Sequence, residues 1–583
     1  MAEVSGDPLR DRTVAVGEAS EALLEVLNAN GVTELFVMPG DAFPILEAAA
    51  KYEALGKQTP RIVTCIHEVT GLAAAHGHYM VSGRPQACLF HVDIGLQAAG
   101  GMLHNAQRGR AGVVIFSGRT PMTFDGSMRG GRVIDVHWMQ DRQDLGSITR
   151  DYVKWHYDLH RTEILAHVVQ RAFQVAASEP AGPVSVTLLR EMLMEPMGSV
   201  QILPPERYGP PRPPVPDLAA LEEVASLLAA AERPVAIAGH VGRSAVGFHG
   251  LAKLAEVAAL PVFSHADRAN ISSDCPMYLG TGPAGPWLSE ADLVLVLDAD
   301  VPYTPLFGRP PDDATIVQID IDPLKPAISL WGFPVDIALG GSTAAALPLL
   351  AELVSECRSN AQARAAAERR ERVAAEHTAR RKALIDNAEA NAGASPIRAD
   401  FLSLCVADLV DDGTIVVDDS TTSRWIAARY MPTRVPGSYF QASGASMGWG
   451  AAAALGAKLA APDRTVINLN AEGNFLHGAP EATLWTAAQH RSPTLTVVYD
   501  NAQYAAIKLG LLHEYPEGYA ARSGRFPALE LPSAPDVCKV AESSGADAAR
   551  VEDPAELRQA LRRALDVVRG GQAAVLDVAV AGP

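Results

Sequence analysis

The sequence predicts an α/β protein built from three doubly wound parallel-sheet domains. Apolar strand-like segments alternate with helix-like segments along nearly the whole chain of 583 residues, and this alternation is typical of βαβ units with parallel strands. Two segments of different composition separate three such regions, one rich in proline and one rich in alanine, arginine and glutamate. A chain of this length is expected to contain two to four domains.

The composition changes set the predicted domain boundaries. We predict a first α/β domain at 1–195, a proline-rich linker at 196–217, a central α/β domain at 218–355, a connecting helix at 356–395 and a third α/β domain at 396–583. The linker contains the run LPPERYGPPRPPVPD, which has too many prolines for a helix or a strand. The connecting helix is expected to be solvated because charged residues dominate it.

In the first domain, polar residues follow short apolar strands. A helix is predicted at Glu18–Asn30, with Gly31 as its C-cap. Strands are predicted at Leu35–Met38, Arg61–Ile66, Ala87–Phe90, Val113–Ser117 and Val184–Leu189, with a small-residue helix at Val69–Tyr79. Asp41, Glu68 and His91 stand just past the first three strands.

The central domain shows the same alternation without a clear nucleotide-binding motif. Strands are predicted at Val235–Ala238, Leu293–Leu297 and Ile316–Ile321, and a helix at Gly250–Ala258. The turn Gly239–Arg243 matches the dinucleotide-binding pattern GxGxxG poorly. We interpret it as structural.

The third domain contains the most informative stretch, residues 466–508. A buried strand (Val466–Leu469), a tight turn (Ala471–Asn474), a helix (Pro480–His490) and a second buried strand (Leu495–Tyr499) form a predicted βαβ unit. Such sheets bind ligands beyond the carboxyl ends of their strands, where Glu472 and Asn501 stand. A carboxylate and an amide oxygen suit Mg²⁺, which takes few protein ligands and completes its shell with phosphate oxygens.

Composition excludes several classes of function. The net charge is −18 and the 49 Lys and Arg residues are spread out, so neither nucleic acid nor a membrane is an expected partner. No apolar run approaches the roughly eighteen residues of a membrane span, and the N-terminus lacks the pattern of a secretory signal. The six cysteines lie far apart without a CxxC pair, which indicates reduced thiols in a cytoplasmic protein.

The 466–508 stretch resembles the thiamine diphosphate fingerprint, Gly-Asp-Gly followed further along by Asn. This chain departs from it with Ala471 for the first glycine and Glu472 for the aspartate. Glutamate can still ligate Mg²⁺, although the turn has to absorb its extra methylene group. The alternative interpretation is an ordinary βα turn with an incidental carboxylate.

Over roughly residues 18–580, the chain resembles the thiamine diphosphate-dependent family of pyruvate oxidase, acetolactate synthase and benzoylformate decarboxylase. Local matches to benzoylformate decarboxylase are Pro436–Tyr439, Leu484–Gln489 and the Ser420–Thr422 turn. The resemblance implies that the first domain binds the pyrimidine ring of the cofactor and the third domain binds the diphosphate.

The resemblance also implies roles for individual residues. Glu68 would hydrogen-bond the pyrimidine ring and so help to deprotonate the cofactor; the alternative is a helix N-terminal glutamate stabilised by the helix dipole. His91 falls where benzoylformate decarboxylase has an active-site histidine, and Asp41 where pyruvate decarboxylase has an aspartate. The expected Mg²⁺ ligands are Glu472, the side-chain oxygen of Asn501 and the main-chain carbonyl of Gln503. The expected cofactor contacts are Thr421, Thr422, Gly473 and Asn474 at the diphosphate, Asn501 through the metal, and Met447 beneath the bent cofactor.

The function implied is thiamine diphosphate- and Mg²⁺-dependent cleavage or decarboxylation of a 2-oxo acid or related carbonyl, with carboligation as a further outcome. One alternative is a flavin-containing transferase like acetolactate synthase, with FAD as a cofactor that no clear signature supports. Gly510 stands where acetolactate synthases carry a tryptophan, which argues against dedicated valine and isoleucine biosynthesis. The other alternative is a degenerate, non-catalytic cofactor-binding subunit, suggested by Ala471 and Glu472.

Assembly follows from the distribution of these residues. Glu68 and Glu472 lie in different domains, and both would have to touch one cofactor. The resemblance implies that they come from different chains, which predicts a homodimer or homotetramer with shared active sites. The alternative is a monomer whose first and third domains close on each other.

Overall fold

The computed structural model describes residues 12–265, 268–531 and 534–582. Within these ranges, each of the three predicted α/β regions contains one six-stranded sheet whose neighbouring strands are all parallel. The predicted fold class is confirmed. Over the same ranges, every helix is too short or too polar to cross a membrane.

From residue 12 onward, the described part of the first domain contains eight strands. They are β1 (Arg12–Ala15), β2 (Glu34–Val37), β3 (Arg61–Thr64), β4 (Gln86–Phe90), β5 (Val113–Arg119), β6 (His156–Leu159), β7 (Val184–Leu189) and β8 (Ser199–Ile202). Its helices are α1 (Ala19–Ala29), α2 (Pro44–Ala54), α3 (Glu68–Ser82), α4 (Val92–Ala98), α5 (Gly100–Arg108), α6 (Val136–Met139), α7 (Leu165–Ala177) and α8 (Arg190–Leu193). The sheet order is β3-β2-β4-β5-β7-β6. Strand β8 pairs antiparallel with β1, so regular structure extends into the segment predicted as a linker.

The central domain has the strand order β11-β10-β9-β12-β13-β14. Its strands are β9 (Pro234–Ala238), β10 (Val262–Ser264), β11 (Tyr278–Thr281), β12 (Leu293–Leu297), β13 (Thr315–Asp320) and β14 (Ile337–Gly340). Its helices are α9 (Leu218–Ala230), α10 (Ala245–Ala258), α11 (Pro286–Ser289) and α12 (Thr343–Cys357).

A long helix, α13 (Asn360–Ala390), leads to the third domain. It begins at a capping box in which Ser359 and Gln362 satisfy each other's backbone N–H groups. Most of the helix is exposed, as predicted, but Arg369 is buried and donates to the carbonyl oxygens of Ala258 and Ala259 at 2.8 and 2.9 Å. This arginine therefore fastens the connecting helix to the central domain.

The third domain has the strand order β16-β15-β17-β18-β20-β19. Its strands are β15 (Thr414–Asp419), β16 (Tyr439–Gln441), β17 (Thr465–Ala471), β18 (Leu495–Asp500), β19 (Asp547–Val551) and β20 (Ala574–Ala579). Its helices are α14 (Ala399–Ala407), α15 (Arg424–Tyr430), α16 (Gly450–Ala460), α17 (Glu472–His477), α18 (Pro480–Gln489), α19 (Ala505–Glu514), α20 (Tyr519–Ser523), α21 (Val537–Ser543) and α22 (Leu557–Arg569).

Each of the three sheets has a point at which the chain order of its strands reverses. In the first and third sheets, the second strand lies on one side of the first and the third strand lies on the other side. In the central sheet, the second and third strands (β10 and β11) lie on one side of β9, and the fourth strand (β12) lies on the other side. The chain order therefore reverses between β2 and β4, between β9 and β12, and between β15 and β17. Open α/β sheets bind ligands beyond the carboxyl ends of the strands at such switch points.

The first and third domains share a hydrophobic core formed in part by α3 and α16. A Cβ atom at Gly77 would collide with the carbonyl group of Ala453, and one at Gly456 with that of Ala74. Residue numbers therefore rise along one helix as they fall along the other, so the two helices are antiparallel and in close backbone contact.

Candidate active site

The switch point of the third sheet gathers polar groups from β15 and from α17. Asn474 donates through Nδ2 to Asp419 Oδ1 at 2.8 Å and to Thr421 Oγ1 at 2.7 Å. The other carboxyl oxygen of Asp419 accepts the N–H of Gly450 at 2.9 Å, at the start of α16. Thr421 has a positive φ of 47°, a conformation that is uncommon for a non-glycine residue and often marks functional turns.

Asp419 was not identified from the sequence as a site residue. It is fully enclosed, and burial raises the pKa of its carboxyl group to about 7, although the N–H of Gly450 and the amide of Asn474 act in the opposite direction. The only sequence signal was its position at the end of an apolar strand. Its structural role is to tie the turn after β15 to the start of α16.

Glu472 is brought together with Asn501 and Gln503. Glu472 Oε1 and Asn501 Oδ1 both accept the backbone N–H of Gln503, at 3.0 and 3.1 Å. Glu472 is buried, and this burial together with the nearby carboxylate of Asp500 raises its pKa to about 7. The predicted tight turn at Ala471–Asn474 is wrong, because Ala471 ends β17 and Glu472 is the first residue of α17.

Gly473 lies in a cradle of side chains. A Cβ atom there would approach the ring of Tyr504 to 3.0 Å and the methyl group of Met447 to 3.6 Å. Next to Met447, Gly448 has a φ of 87° and its Cα faces the backbone of Gly478 so closely that no Cβ fits on either residue. Glycine is required here because two backbone segments approach each other.

Glu68 is the first residue of α3 and is buried. Its carboxyl oxygen lies 3.0 Å from the position that a Cβ atom would occupy on Gly95, in α4. The preceding residue, His67, caps the helix by accepting the N–H of Val69 at 3.1 Å. The carboxylate thus stands at a helix N-terminus, where the helix dipole favours negative charge.

His91 and Asp41 lie at the switch point of the first sheet. Gln140 Nε2 donates to His91 Nε2 at 3.2 Å, while Nδ1 of the histidine is buried and has no hydrogen-bond partner among the described residues. Asp41 Oδ1 lies 3.5 Å from Arg190 and 3.9 Å from His137. Neither Arg190 nor His137 was identified from the sequence, since both lie far along the chain from Asp41.

The two halves of the predicted site lie apart within one chain. Gly77 of α3 faces Ala453, near the start of α16 where Gly450 binds Asp419. Glu68 is the first residue of α3 and precedes Gly77 by nine positions, which correspond to about 14 Å along the helix. In the described part of the chain, no hydrogen bond joins Glu68 to Glu472 or Asn501.

The third-domain residues fit thiamine diphosphate and a divalent cation. Glu472 is a buried carboxylate with a second carboxylate nearby, and it accepts hydrogen bonds from backbone N–H groups such as that of Gln503. A cation would neutralise this arrangement of negative charge. No group of three His, Cys, Asp or Glu residues able to hold a metal ion occurs in the described ranges.

The chain is similar to known proteins over most of its length. The chain matches the N-terminal TPP binding domain (residues 17–147), central domain (221–350) and C-terminal TPP binding domain (419–578) of thiamine pyrophosphate enzymes. It therefore belongs to the thiamine pyrophosphate enzyme family, which confirms the family expected from the sequence and, with it, enzymatic function and thiamine diphosphate as cofactor.

Several relatives can be named. The chain is 28% identical to benzoylformate decarboxylase of Pseudomonas aeruginosa over 93% of this chain and 96% of that protein. It is 25% identical to a probable acetolactate synthase large subunit of Methanococcus aeolicus over 94% of this chain and 90% of that protein. Its fold is similar to that of the 4-hydroxybenzoylformate decarboxylase of Rhodococcus jostii RHA1, with a TM-score of 0.77, 22% identity, and 97% and 99% of the two chains covered.

Proposed function

We propose that this chain is a thiamine diphosphate- and Mg²⁺-dependent enzyme that decarboxylates or cleaves a 2-oxo acid or related carbonyl, with carboligation to a second carbonyl as a further outcome. The observation that carries the proposal is the convergence of Glu472 and Asn501 on the N–H of Gln503, beside the switch point of the third sheet. Its relatives include a benzoylformate decarboxylase and a probable acetolactate synthase.

In the third domain, we propose that the residues bind and orient the cofactor. Glu472, the side-chain oxygen of Asn501 and the main-chain carbonyl of Gln503 would hold Mg²⁺. The diphosphate would be held by Thr421, Thr422, Gly473 and Asn474, and Met447 would support the bent cofactor. Because the Nδ2 group of Asn474 is already bonded to Asp419 and Thr421, its contribution would be to orient the Thr421 hydroxyl group.

In the first domain, we propose that the residues manage protons. When bound, thiamine diphosphate would supply a nucleophilic ring carbon that adds to the carbonyl group, and its positively charged ring would accept the electron pair of the broken C–C bond. Glu68 would share a proton with a ring nitrogen of the cofactor, as a partly enclosed carboxylate can do with a base of similar strength. His91 and Asp41 would exchange protons with the reacting carbonyl compound. The free Nδ1 of His91 supports such a role.

Shared active sites are also part of the proposal. Because α3 and α16 are antiparallel, the Glu68 of a chain lies at the far end of the helix pair from its own Glu472. One cofactor that touches both groups would then take them from two chains, in a homodimer or homotetramer.

The six cysteines are free, which supports a cytoplasmic location.

The flavin-containing alternative is less well supported by the central domain. At its switch point, Gly239 packs directly against the backbone of Asp298, and Arg243 bonds that carboxylate at 2.6 Å. Arg110 of the first domain reaches across to Asp300 at 2.8 Å. Burial alone would raise the pKa of Asp298, but Arg243 and Arg110 hold it below its ordinary value. Since Arg110 and Arg243 are both paired with carboxylates, neither is available as a counter-charge for the diphosphate of a flavin dinucleotide.

The test is CO₂ release by the Mg²⁺- and thiamine diphosphate-loaded enzyme on aliphatic and aromatic 2-oxo acids, with product analysis. We expect an aldehyde or a 2-hydroxy ketone from at least one substrate. Glu68→Gln should slow hydrogen–deuterium exchange at the reactive ring carbon of the cofactor by orders of magnitude while the protein remains folded. Tight cofactor binding without turnover on any substrate would instead support the non-catalytic subunit, and visible flavin absorbance would support the transferase.

A further inference from the structure

A cavity lies beside Asp41, at the carboxyl ends of β2, β5 and β7. Its volume is about 580 Å³, within the range of small-molecule sites. The apolar side chains that line it are Phe43, Phe124, Met128, Val133 and Ile134. Four of these five are more than 40% exposed. Such a cluster of exposed large apolar side chains is typical of a binding surface.

The two cations at the cavity do not make it an anion site. Arg190 donates to the carbonyl oxygens of Gly130 and Gly131 at 2.8 and 3.0 Å and lies 3.5 Å from Asp41. Arg132 donates to the carbonyl oxygen of Pro121 and forms an ion pair with Asp141. Since each guanidinium is paired with a carboxylate of this chain, the cavity presents mainly apolar surface to a ligand.

The wall of the cavity is held in place before any ligand binds. Glu191 is buried and accepts the backbone N–H groups of Met122 and Thr123 at 2.8 and 2.7 Å, and the hydroxyl group of Thr123 at 2.6 Å. The backbone N–H of Arg132 closes the same loop by donating to the carbonyl oxygen of Thr123 at 2.6 Å. A fixed apolar wall loses little conformational entropy on binding.

The cavity adjoins the residues proposed to manage protons. Asp41 lines it, and Oδ2 of this buried carboxylate has no hydrogen-bond partner in the part of the chain that the structure describes. Gly40 packs directly against His91. A ligand whose reacting carbon lies near Asp41 and His91 can therefore extend its remaining atoms into the apolar cavity.

We infer that this cavity receives the side chain of the 2-oxo acid and selects a large apolar group, aryl-sized or branched alkyl, over a methyl group or a charged chain. The inference rests on the proposed function. A polar or charged side chain would lose hydration against Phe43, Met128 and Ile134. The Asp41 carboxylate would compensate a cationic chain only in part, because Arg190 already lies 3.5 Å from it. A methyl group would leave most of the cavity unfilled.

The experiment measures kcat/KM of the loaded enzyme for 2-oxo-3-phenylpropanoate, 4-methyl-2-oxopentanoate, pyruvate and 2-oxo-5-guanidinopentanoate. We expect the first two to exceed the last two by about tenfold or more, since each buried methylene contributes a factor of this order. Val133→Asp and Met128→Ala should lower kcat/KM for the phenyl substrate and leave that for pyruvate nearly unchanged. Met139→Ala is the matched control, because Met139 is 77% exposed but does not line the cavity.

A binding measurement separates this inference from the proposed function. Calorimetry of the loaded enzyme with 3-phenylpropanoate and butanoate needs no turnover, and we expect tighter binding of the phenyl acid that Val133→Asp abolishes. This result without CO₂ release would support the cavity assignment and overturn the proposed function. Preference for pyruvate, or wall variants that weaken all substrates equally, would overturn the cavity assignment while the proposed function stands.

Discussion

At the scale of single residues, Asp419 links the turn after β15 to α16 through a buried carboxyl group. It accepts hydrogen bonds from Gly450 and Asn474, and Asn474 in turn holds Thr421. The residues proposed to bind the diphosphate therefore depend on one acidic side chain that itself need not touch the cofactor. The role of Asp419 can therefore be tested by measuring how the free energy of unfolding depends on pH.

We predict that Asp419→Asn removes a pH dependence of stability. Burial raises the pKa of this carboxyl group from its ordinary 3.8 to about 7 in the folded protein, so the folded state binds a proton that the unfolded state releases. The stabilisation of the folded state that comes from this protonated group is complete below about pH 4. It is lost as the pH rises through about 7. The difference in unfolding free energy between wild type and variant should fall over this window, by at most about 1.4 kcal/mol per pH unit.

The measurement is urea denaturation of the cofactor-free protein at several pH values. Asp412→Asn, which removes an exposed carboxyl group, is the control for the loss of one charge. A difference between wild type and Asp419→Asn that stays constant from pH 4 to pH 7 would contradict the assigned pKa shift.

A second residue-scale prediction concerns Glu472. Glu472→Ala should weaken the binding of Mg²⁺ and of thiamine diphosphate together, because in the proposed site the metal would join the protein to the phosphates. We expect a loss of about tenfold or more, since even a supporting outer-shell group at a metal site contributes that much. Glu472→Asp should retain part of the affinity, because it restores the ligand usual in the family. Titration calorimetry showing both variants equal to wild type would place the metal elsewhere.

At the scale of elements, the helix pair α3 and α16 joins the first and third domains through small residues. A Cβ atom at Gly456 would overlap the carbonyl group of Ala74, with backbone on both sides of the contact. We predict that Gly456→Ala costs about 1–3 kcal/mol of unfolding free energy through overpacking, despite the better helix propensity of alanine.

Gly100→Ala is the matched control for this substitution. Gly100 is also a helical glycine, the first residue of α5, but nothing lies within 4 Å of the position of its Cβ. We expect the denaturation midpoint of the Gly100→Ala variant to equal that of the wild type or to rise slightly. Equal midpoints for the two variants would mean that the helices can separate at no cost.

At the scale of the whole molecule, the antiparallel helix pair separates the two groups that the proposed reaction needs together. Mixing Glu68→Gln chains with Glu472→Ala chains, each inactive alone, tests shared sites. Each hybrid dimer would contain one intact site of two, by two-fold symmetry. We predict recovered activity after subunit exchange. Verified exchange with no recovery would show that each chain builds its own site.

Much of the architecture could be predicted from local patterns. Central strands such as β7 and β12 were predicted at their observed bounds. A strand that is buried on both faces of the sheet is a continuous apolar run, and turn residues mark where the run begins and ends. Edge strands such as β6 and β11 were missed, since they are short and partly polar. The turn at Glu472 was wrong because a helix beginning directly after a strand leaves little turn signal.

The sequence by itself determined the fold class, the family and the local groups Glu472 and Asn501, because these depend on periodicity and on motifs within a short stretch of chain. Only the tertiary structure decided which distant residues meet. It placed Arg190 and His137 beside Asp41. It also enclosed Asp419 between two segments and set Glu68 at the end of α3 that lies away from Glu472. Contacts of this kind arise from packing between elements separated by many residues, and no local pattern records them.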